Sequence, residues 1–209
     1  MNHAGGAVLS AAIDAARRLL GERLTAAFAI GSLAHGGFVP SVSDVDLALI
    51  VRGADASDQA TIAVVAERTQ QSDPGELAER LSIFWGNWDS LAGGAEHGRF
   101  PAIDRLDLLR SGVLLAGLDE RARVPEPTHA EVVIETAHAA AWYSSTRALA
   151  PELVRAGVRW RTAGIEDTAD ALRLLGSDLL PLHVEFLGAY AQLTRDAGQP
   201  DLADALAPA

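Results

Sequence analysis

Two apolar segments, joined by a stretch with a Gly-Ser pair at one end and two aspartates at the other, constrain the fold of this chain most. Residues 26–30 run directly into Gly31-Ser32, and residues 45–51 directly follow Asp44 and contain Asp46. Both segments have the composition of buried strands. Eleven residues lie between Ser32 and Asp44. The pattern therefore predicts strand, loop and strand, with polar groups at both ends of the loop.

The two aspartates predict a divalent-cation site. Residues two apart on a strand face the same side, so Asp44 and Asp46 are expected to project together. Neighbouring carboxylates repel each other unless a cation lies between them. Carboxylate oxygens combined with phosphate oxygens suit Mg²⁺. The backbone N–H groups and hydroxyl of Gly31-Ser32 would face an anion such as a triphosphate. These residues indicate a metal-dependent site for phosphoryl chemistry.

The segments Gly31-Ser32-Leu33-Ala34-His35-Gly36 and Ser43-Asp44-Val45-Asp46-Leu47 resemble the signature of the polymerase-β-like nucleotidyltransferase superfamily. Within it, they are most similar to the small antibiotic-type, aminoglycoside-adenylyltransferase-like enzymes. The motif residues Gly31, Ser32, Asp44 and Asp46 match one by one, and the match covers residues 24–52. The alternative interpretation is a plain strand–loop–strand in which the aspartates cap a turn.

The resemblance implies a Mg²⁺-dependent transferase that moves a nucleoside monophosphate onto a hydroxyl of a small-molecule acceptor. Enzymes of this family usually use ATP as the donor, so the resemblance implies ATP. No residue that would recognise the nucleobase can be identified from the sequence. The catalytic and metal-binding residues would be Asp44 and Asp46. The nucleotide-binding candidates are Gly31, Ser32, His35 and Ser43, with a solvated loop histidine as the alternative for His35.

The chain departs from the family pattern at the third carboxylate, which relatives carry on the next long strand. Residues 81–85 contain no acid, and the aligned position holds Ser82. Asp89 and Asp104 are candidates to supply the acid from a loop or a helix start. Otherwise the metal polarises the acceptor enough, or the acceptor is acidic enough, that no general base is needed. A further alternative is that the chain binds a nucleotide without catalysing its transfer. The second hypothesis is therefore a catalytically weak or silent, antitoxin-like regulatory protein with a protein partner. Asp104 and Asp107 together are interpreted as a solvated helix face.

The periodicity along the chain predicts an α+β protein: a nucleotidyltransferase-type mixed sheet flanked by helices, followed by an all-α helical-bundle domain. Pro125 and Pro127 mark a linker, so the predicted domains are residues 1–124 and 125–209. The first domain is expected to contain an opening helix that ends at Gly21, a helix at 57–71, a strand at 80–86, a Gly-rich loop at 92–98, a helix at 103–110 and a strand at 112–117. Helices are predicted at 129–148, 151–158, 166–175, 178–197 and 200–206.

The helical half supplies candidates for acceptor binding. The run around Trp142 and Tyr143 is weakly similar to the helical domain of spectinomycin and streptomycin adenylyltransferases, with core aromatics as the alternative. Acids in this half would give a cleft facing the metal site a negative potential: Glu135, Glu166, Asp167 and Asp170. The alternative for the last three is stabilisation of a helix N-terminus.

The net charge of −11, with no lysine, argues against a nucleic-acid substrate and favours a cationic small molecule. No apolar run approaches the roughly 20 residues that cross a bilayer, so no membrane partner is expected. There is no cysteine, and the N-terminal residues lack the pattern of a signal peptide. A cytoplasmic protein is expected, and a homo-oligomer is compatible with the sequence.

Overall fold

In the computed structural model, the described residues are 3–40, 43–73, 75–93, 98–132, 134–135, 188–189, 191–196 and 198–206. The chain divides into two compact units, residues 1–126 and residues 127–209. The first unit contains the sheet and the signature residues. The two units are described separately.

The first unit alternates helices and strands. It opens with helix α1 (His3–Leu20), strand β1 (Leu24–Ile30), helix α2 (Gly31–His35) and strand β2 (Val45–Val51). Helices α3 (Asp58–Ser72) and α4 (Glu76–Glu79) precede strand β3 (Leu81–Gly86). Helices α5 (Trp88–Gly93) and α6 (Ala102–Ser111) precede strand β4 (Val113–Gly117). Short 3₁₀ turns lie at Gly21–Arg23 and Arg121–Arg123.

The predicted mixed α+β architecture, a sheet flanked by helices, is confirmed for this unit. Helix α5 was missed, because the segment that contains its end is rich in glycine. A local signal for it existed. The side-chain oxygen of Asn87 accepts a hydrogen bond from the N–H of Ser90 at 2.8 Å, which caps the helix start. Trp88 and Leu91, three residues apart, supply its buried side.

The four strands form one mixed sheet in the order β3-β2-β1-β4. Strand β1 runs antiparallel to β2 and to β4, and β2 runs parallel to β3. Asp46 pairs with Ile30 on one side and with Ser82 on the other. The last residue of β1 and the first residues of β2 and β3 therefore meet at one end of the sheet, which we call the Gly31 end.

The sheet carries a hydrophobic core on each face. One core joins α1, α3 and α4 to Val45, Leu47 and Leu49 of β2. The other joins Ala48 and Ile50 of β2 to residues of α5 and α6. Because side chains alternate along a strand, Asp46 belongs to the face on which α5 and α6 pack. Asp46 is thus on the side of α6.

An ion pair between the buried Asp58 and the half-exposed Arg23 anchors α3 to the start of β1. The carboxylate of Asp58 is 1% exposed and accepts hydrogen bonds from Arg23 Nη1 at 2.9 Å and Nη2 at 2.6 Å. It also accepts the N–H of Asp55 at 3.1 Å. The hydrogen bond to Asp58 raises the pKa of the Arg23 guanidinium above its ordinary value. This pair lies at the end of the sheet opposite the Gly31 end, where Leu24 faces Val51.

Replacing Asp58 with Asn is expected to lower the free energy of unfolding by about 1–2 kcal/mol, since charge-assisted hydrogen bonds from a half-exposed arginine are weakened. Urea denaturation of the parent and of Asp58→Asn measures the difference. The affinity for nucleotide should not change, because the pair is remote from the Gly31 end. A variant as stable as the parent would contradict the role given to this ion pair.

In the second unit the structure describes helical residues at 129–132, 134–135, 188–189 and 191–196, and a final helix α7 (Pro200–Leu206). Helix α7 lies where a helix was predicted. The helices predicted at 151–158 and 166–175 lie outside the described residues, and so do most residues of the other two. Across the described part of both units, no helix combines the length and the apolar character needed to span a membrane.

Candidate functional site

Gly31 contacts the carboxylate of Asp46 at the junction of β1 and α2. Its φ of +65° lies in the left-handed region, which residues with a side chain rarely adopt. A Cβ atom at this position would overlap Oδ2 of Asp46. Both the backbone angle and the neighbouring acid therefore require glycine, and the missing side chain is what lets Asp46 approach the loop.

The two signature aspartates flank Val45 at the start of β2. Val45 is fully buried in the core formed with α1 and α3. Asp44 is exposed and Asp46 half-buried. Since side chains alternate across a strand, Asp46 projects away from Val45, toward the face of α5 and α6, and Asp44 immediately precedes the strand. The pair is reachable from solvent through Asp44, and Asp46 joins it to the loop at Gly31.

Strand β3 contributes no acid to this end of the sheet. Its second residue, Ser82, lies directly beside Asp46 in the parallel register and is half-buried. Side chains in register on parallel neighbours share a face, so Ser82 occupies the place where a third carboxylate on β3 would adjoin the pair.

Helix α6 brings a carboxylate to the site instead. Oδ2 of Asp107 accepts a hydrogen bond from the N–H of Gly31, with 2.5 Å between the heavy atoms. Asp107 is only 6% exposed. The prediction of a solvated face is therefore wrong for Asp107. Helix α6 packs on α2, and its buried residues include the charged Arg105 and Asp107.

The two acids proposed to replace the family's third carboxylate lie in different places. Asp104 is half-buried one helical turn before Asp107, on the helix that contacts α2. Asp89 lies in α5, just after Gly86, the last residue of β3. Asp46 pairs with Ser82, near the first residue of β3. The part of β3 from Ser82 to Gly86 is roughly 13 Å long. Asp89 pairs with Arg123 at 2.8 Å. Of the two, Asp104 lies on the helix that contacts α2, and Asp89 lies at the far end of β3.

Ser43 braces the loop between α2 and β2. It is 2% exposed, and its hydroxyl accepts the N–H of Val39 at 2.9 Å. Its carbonyl oxygen accepts a hydrogen bond from Arg80 Nη1 at 2.8 Å. Of the other nucleotide-binding candidates, Ser32 is buried next to Gly31, and His35 is half-buried at the end of α2. Ser43 therefore stabilises the conformation of the loop between α2 and β2, whereas Ser32 lies next to Gly31 and so near Asp46.

The acceptor-binding candidates belong to the second unit. Glu135 is half-buried in a helical segment there. Trp142, Tyr143, Glu166, Asp167 and Asp170 lie outside the described residues. So do most of the helices expected to form one wall of an acceptor cleft.

The two carboxylates at the Gly31 end are compatible with a magnesium ion that takes its remaining ligands from phosphate oxygens and water. In the described ranges, no group of three or more Asp, Glu, His or Cys side chains is arranged to hold a metal. Mg²⁺ commonly uses one or two protein carboxylates and takes its other ligands from phosphate oxygens and water. Asp44 and Asp46 suit that mode of binding, and an all-protein cage is not formed by the residues described.

No protein-family model matches the chain, and no curated protein matches it. A solved structure matches in fold: a spectinomycin adenyltransferase from Enterococcus faecialis, crystallised with ATP and spectinomycin. The superposition has a TM-score of 0.61 and 14% sequence identity, and it covers 95% of this chain and 98% of that one. At this identity the likeness is one of fold. The chain thus shares the fold of a nucleotidyltransferase, as the signature residues led us to expect.

Proposed function

We propose that this protein is a Mg²⁺-dependent nucleotidyltransferase. It transfers a nucleoside monophosphate, AMP from ATP as the first candidate, to a hydroxyl of a small molecule. The observation that carries the proposal is the contact of Gly31 with Asp46 at the start of β2, in a chain with this fold. The neighbouring structure was solved with ATP and spectinomycin, which supports a nucleoside triphosphate donor and a small-molecule acceptor.

In the proposed reaction, the acid pair and the loop have separate tasks. Asp44 and Asp46 hold Mg²⁺, which neutralises charge on the triphosphate and on the departing pyrophosphate. Gly31 provides space for Asp46, and its N–H is already donated to Asp107. Contacts to phosphate therefore fall to Ser32 and the backbone after it. In this proposal the Gly31 N–H is therefore assigned to Asp107 and not to the anion.

The charge of the chain supports the choice of acceptor class. With 28 acidic and 17 basic residues, the protein attracts cations over long distances. A nucleic-acid acceptor would need the opposite balance, because phosphate contacts supply most of its affinity. A cationic small molecule that carries a hydroxyl is therefore the acceptor class we favour.

A second candidate function is a regulatory protein that binds a nucleotide and transfers it slowly or not at all, together with a protein partner. Ser82 is the observation in its favour. It lies beside Asp46, where a carboxylate could accept the proton of the attacking hydroxyl, and a serine hydroxyl cannot act as a base near neutral pH.

A screen for pyrophosphate release separates the two functions. Four nucleoside triphosphates are combined with aminoglycosides, lincosamides and cationic metabolites, with and without Mg²⁺. The transferase should release pyrophosphate with at least one pair, only with Mg²⁺, and the acceptor should gain the mass of a nucleoside monophosphate. No release, together with measurable Mg·ATP binding, would favour the regulatory protein. No release and no binding would reject both.

Replacing Ser82 with Asp is expected to raise the rate of transfer at least tenfold, since a positioned general base contributes roughly 10²- to 10⁴-fold. The register places the new carboxylate next to Asp46. Ser82→Asn is the matched control, with nearly the same volume and no base. Initial rates of pyrophosphate release are compared at saturating Mg·ATP. Equal rates for the Asp and Asn variants would show that a missing carboxylate at this position does not limit transfer.

A further inference from the structure

We infer that Asp107 is a positioning residue of the proposed nucleotide site. Its carboxylate holds Gly31 in the observed backbone conformation, with a φ of +65°, at which the carboxylate of Asp46 lies against the glycine. The role rests on the proposed function, and it falls to a residue of α6 that lies outside the signature.

The first observation is the hydrogen bond itself. The donor, the N–H of Gly31, and the acceptor, Oδ2 of Asp107, are separated by 76 positions in the chain. The acceptor belongs to a carboxyl group, and hydrogen bonds from a backbone N–H to a carboxylate oxygen are short and strong. The heavy-atom distance of 2.5 Å is in keeping with this. Helix α6 is thereby tied to the turn between β1 and α2.

The second observation is that two carboxylates meet at one glycine. Asp107 binds the N–H of Gly31, and Asp46 lies against its Cα on the side where a side chain would be. The hydrogen bond fixes the orientation of the peptide plane between Ile30 and Gly31. Without this hydrogen bond Gly31 could adopt other backbone conformations, because more of them are accessible to glycine than to any other residue. The gap that Asp46 occupies would then no longer be held open.

The third observation is that stability alone does not account for a buried carboxyl group here. Oδ1 of Asp107 is buried and accepts no hydrogen bond from any described residue. A buried carboxylate oxygen without a partner costs free energy, and so does placing the group close to another acid. A buried polar atom left unpaired calls for a reason other than packing. Control over Gly31, and through it over Asp46, is such a reason.

The test compares Asp107→Ala, which removes the acceptor, with Asp107→Asn, which keeps a neutral acceptor oxygen. Calorimetry with Mg·ATP should show at least a thirtyfold loss of affinity for Asp107→Ala and less than a fivefold loss for Asp107→Asn. Asp58→Asn serves as the control for stability, since it removes another buried carboxylate at the opposite end of the sheet. Its melting temperature should fall without a loss of affinity.

A spectroscopic signature provides a second readout that needs no nucleotide. In ¹H–¹⁵N spectra the Gly31 amide proton of the parent should lie far downfield and exchange slowly with water. Both properties should be lost in Asp107→Ala and largely kept in Asp107→Asn. A change in overall stability would not produce that pattern, because it would alter all amides of the core together.

Three results would overturn the inference. Parent-like affinity in Asp107→Ala would show that Gly31 needs no support. Tighter binding in that variant would show that the carboxylate competes with phosphate for the N–H. Equal losses in the Ala and Asn variants would show that negative charge matters and the hydrogen bond does not. If the parent binds no nucleotide, the proposed function fails, and the Gly31 amide alone decides whether Asp107 holds the loop.

Discussion

Asp46→Asn is expected to abolish the Mg²⁺-dependent part of ATP affinity, with at least a tenfold loss in calorimetry, and to reduce transfer roughly 10³-fold. An amide oxygen is a weaker ligand for Mg²⁺ than a carboxylate, and it does not balance the charge of the ion. Asp44→Asn should behave in the same way. The two variants test the acid pair directly.

The affinity for ATP in the absence of Mg²⁺ is an internal control, because the same substitutions should leave it unchanged or increase it. Each substitution removes one negative charge near the triphosphate, so free ATP should bind the variants as well as the parent or better. Asp14→Asn is the matched control, because Asp14 is an exposed acid of α1, which packs on the other face of the sheet. If Asp44→Asn and Asp46→Asn bind Mg·ATP like the parent, the metal assignment is wrong.

Gly31→Ala is expected to cost about 2–4 kcal/mol of stability and to remove Mg·ATP binding. A non-glycine residue in the left-handed region loses about 1–2 kcal/mol, and the remainder comes from the new methyl group, which must displace the Asp46 carboxylate. Urea denaturation measures the first effect, and calorimetry measures the second.

Gly53→Ala isolates the backbone contribution. Gly53 has a similar φ of +59°, and an added Cβ there would meet no atom within 4 Å. This variant should lose only about 1 kcal/mol and should bind Mg·ATP like the parent. The difference between the two alanine variants therefore measures the contact of Gly31 with Asp46. Equal stability and equal affinity in both would refute that contact.

The elements that the sequence predicted well are those with a strong local pattern. Strand β2 was predicted at its observed bounds, because residues 45–51 are apolar apart from Asp46 and are followed by Arg52-Gly53. Helix α1 carries its apolar residues at helical spacing on a single side. In both cases the secondary structure can be predicted from a few neighbouring residues, through the periodicity of the apolar residues and the turn residues at the ends.

The part of the site that could not be predicted depends on distant contacts. The position of Asp107 is set by how α6 packs on α2, and no residue near Asp107 in sequence reveals that Gly31 is its partner. The ion pair of Arg23 and Asp58 has the same character, with 35 positions between its members. The register that puts Ser82 beside Asp46 also needs the sheet order. Local periodicity predicts which segments are strands, and it does not say which groups meet when the strands are assembled.

The hydrogen bond between α6 and Gly31 also has a consequence for the order of events during synthesis. Strands β1, β2 and β3 lie within residues 24–86 and can pair while the chain is still growing, because short connections close easily. The two signature acids would then already be in place beside an unbraced glycine. Only when residue 107 has left the ribosome and α6 has docked does the loop acquire its support. A nascent chain would thus have paired its first three strands before strand β4 completes the sheet and before it is able to hold a nucleotide.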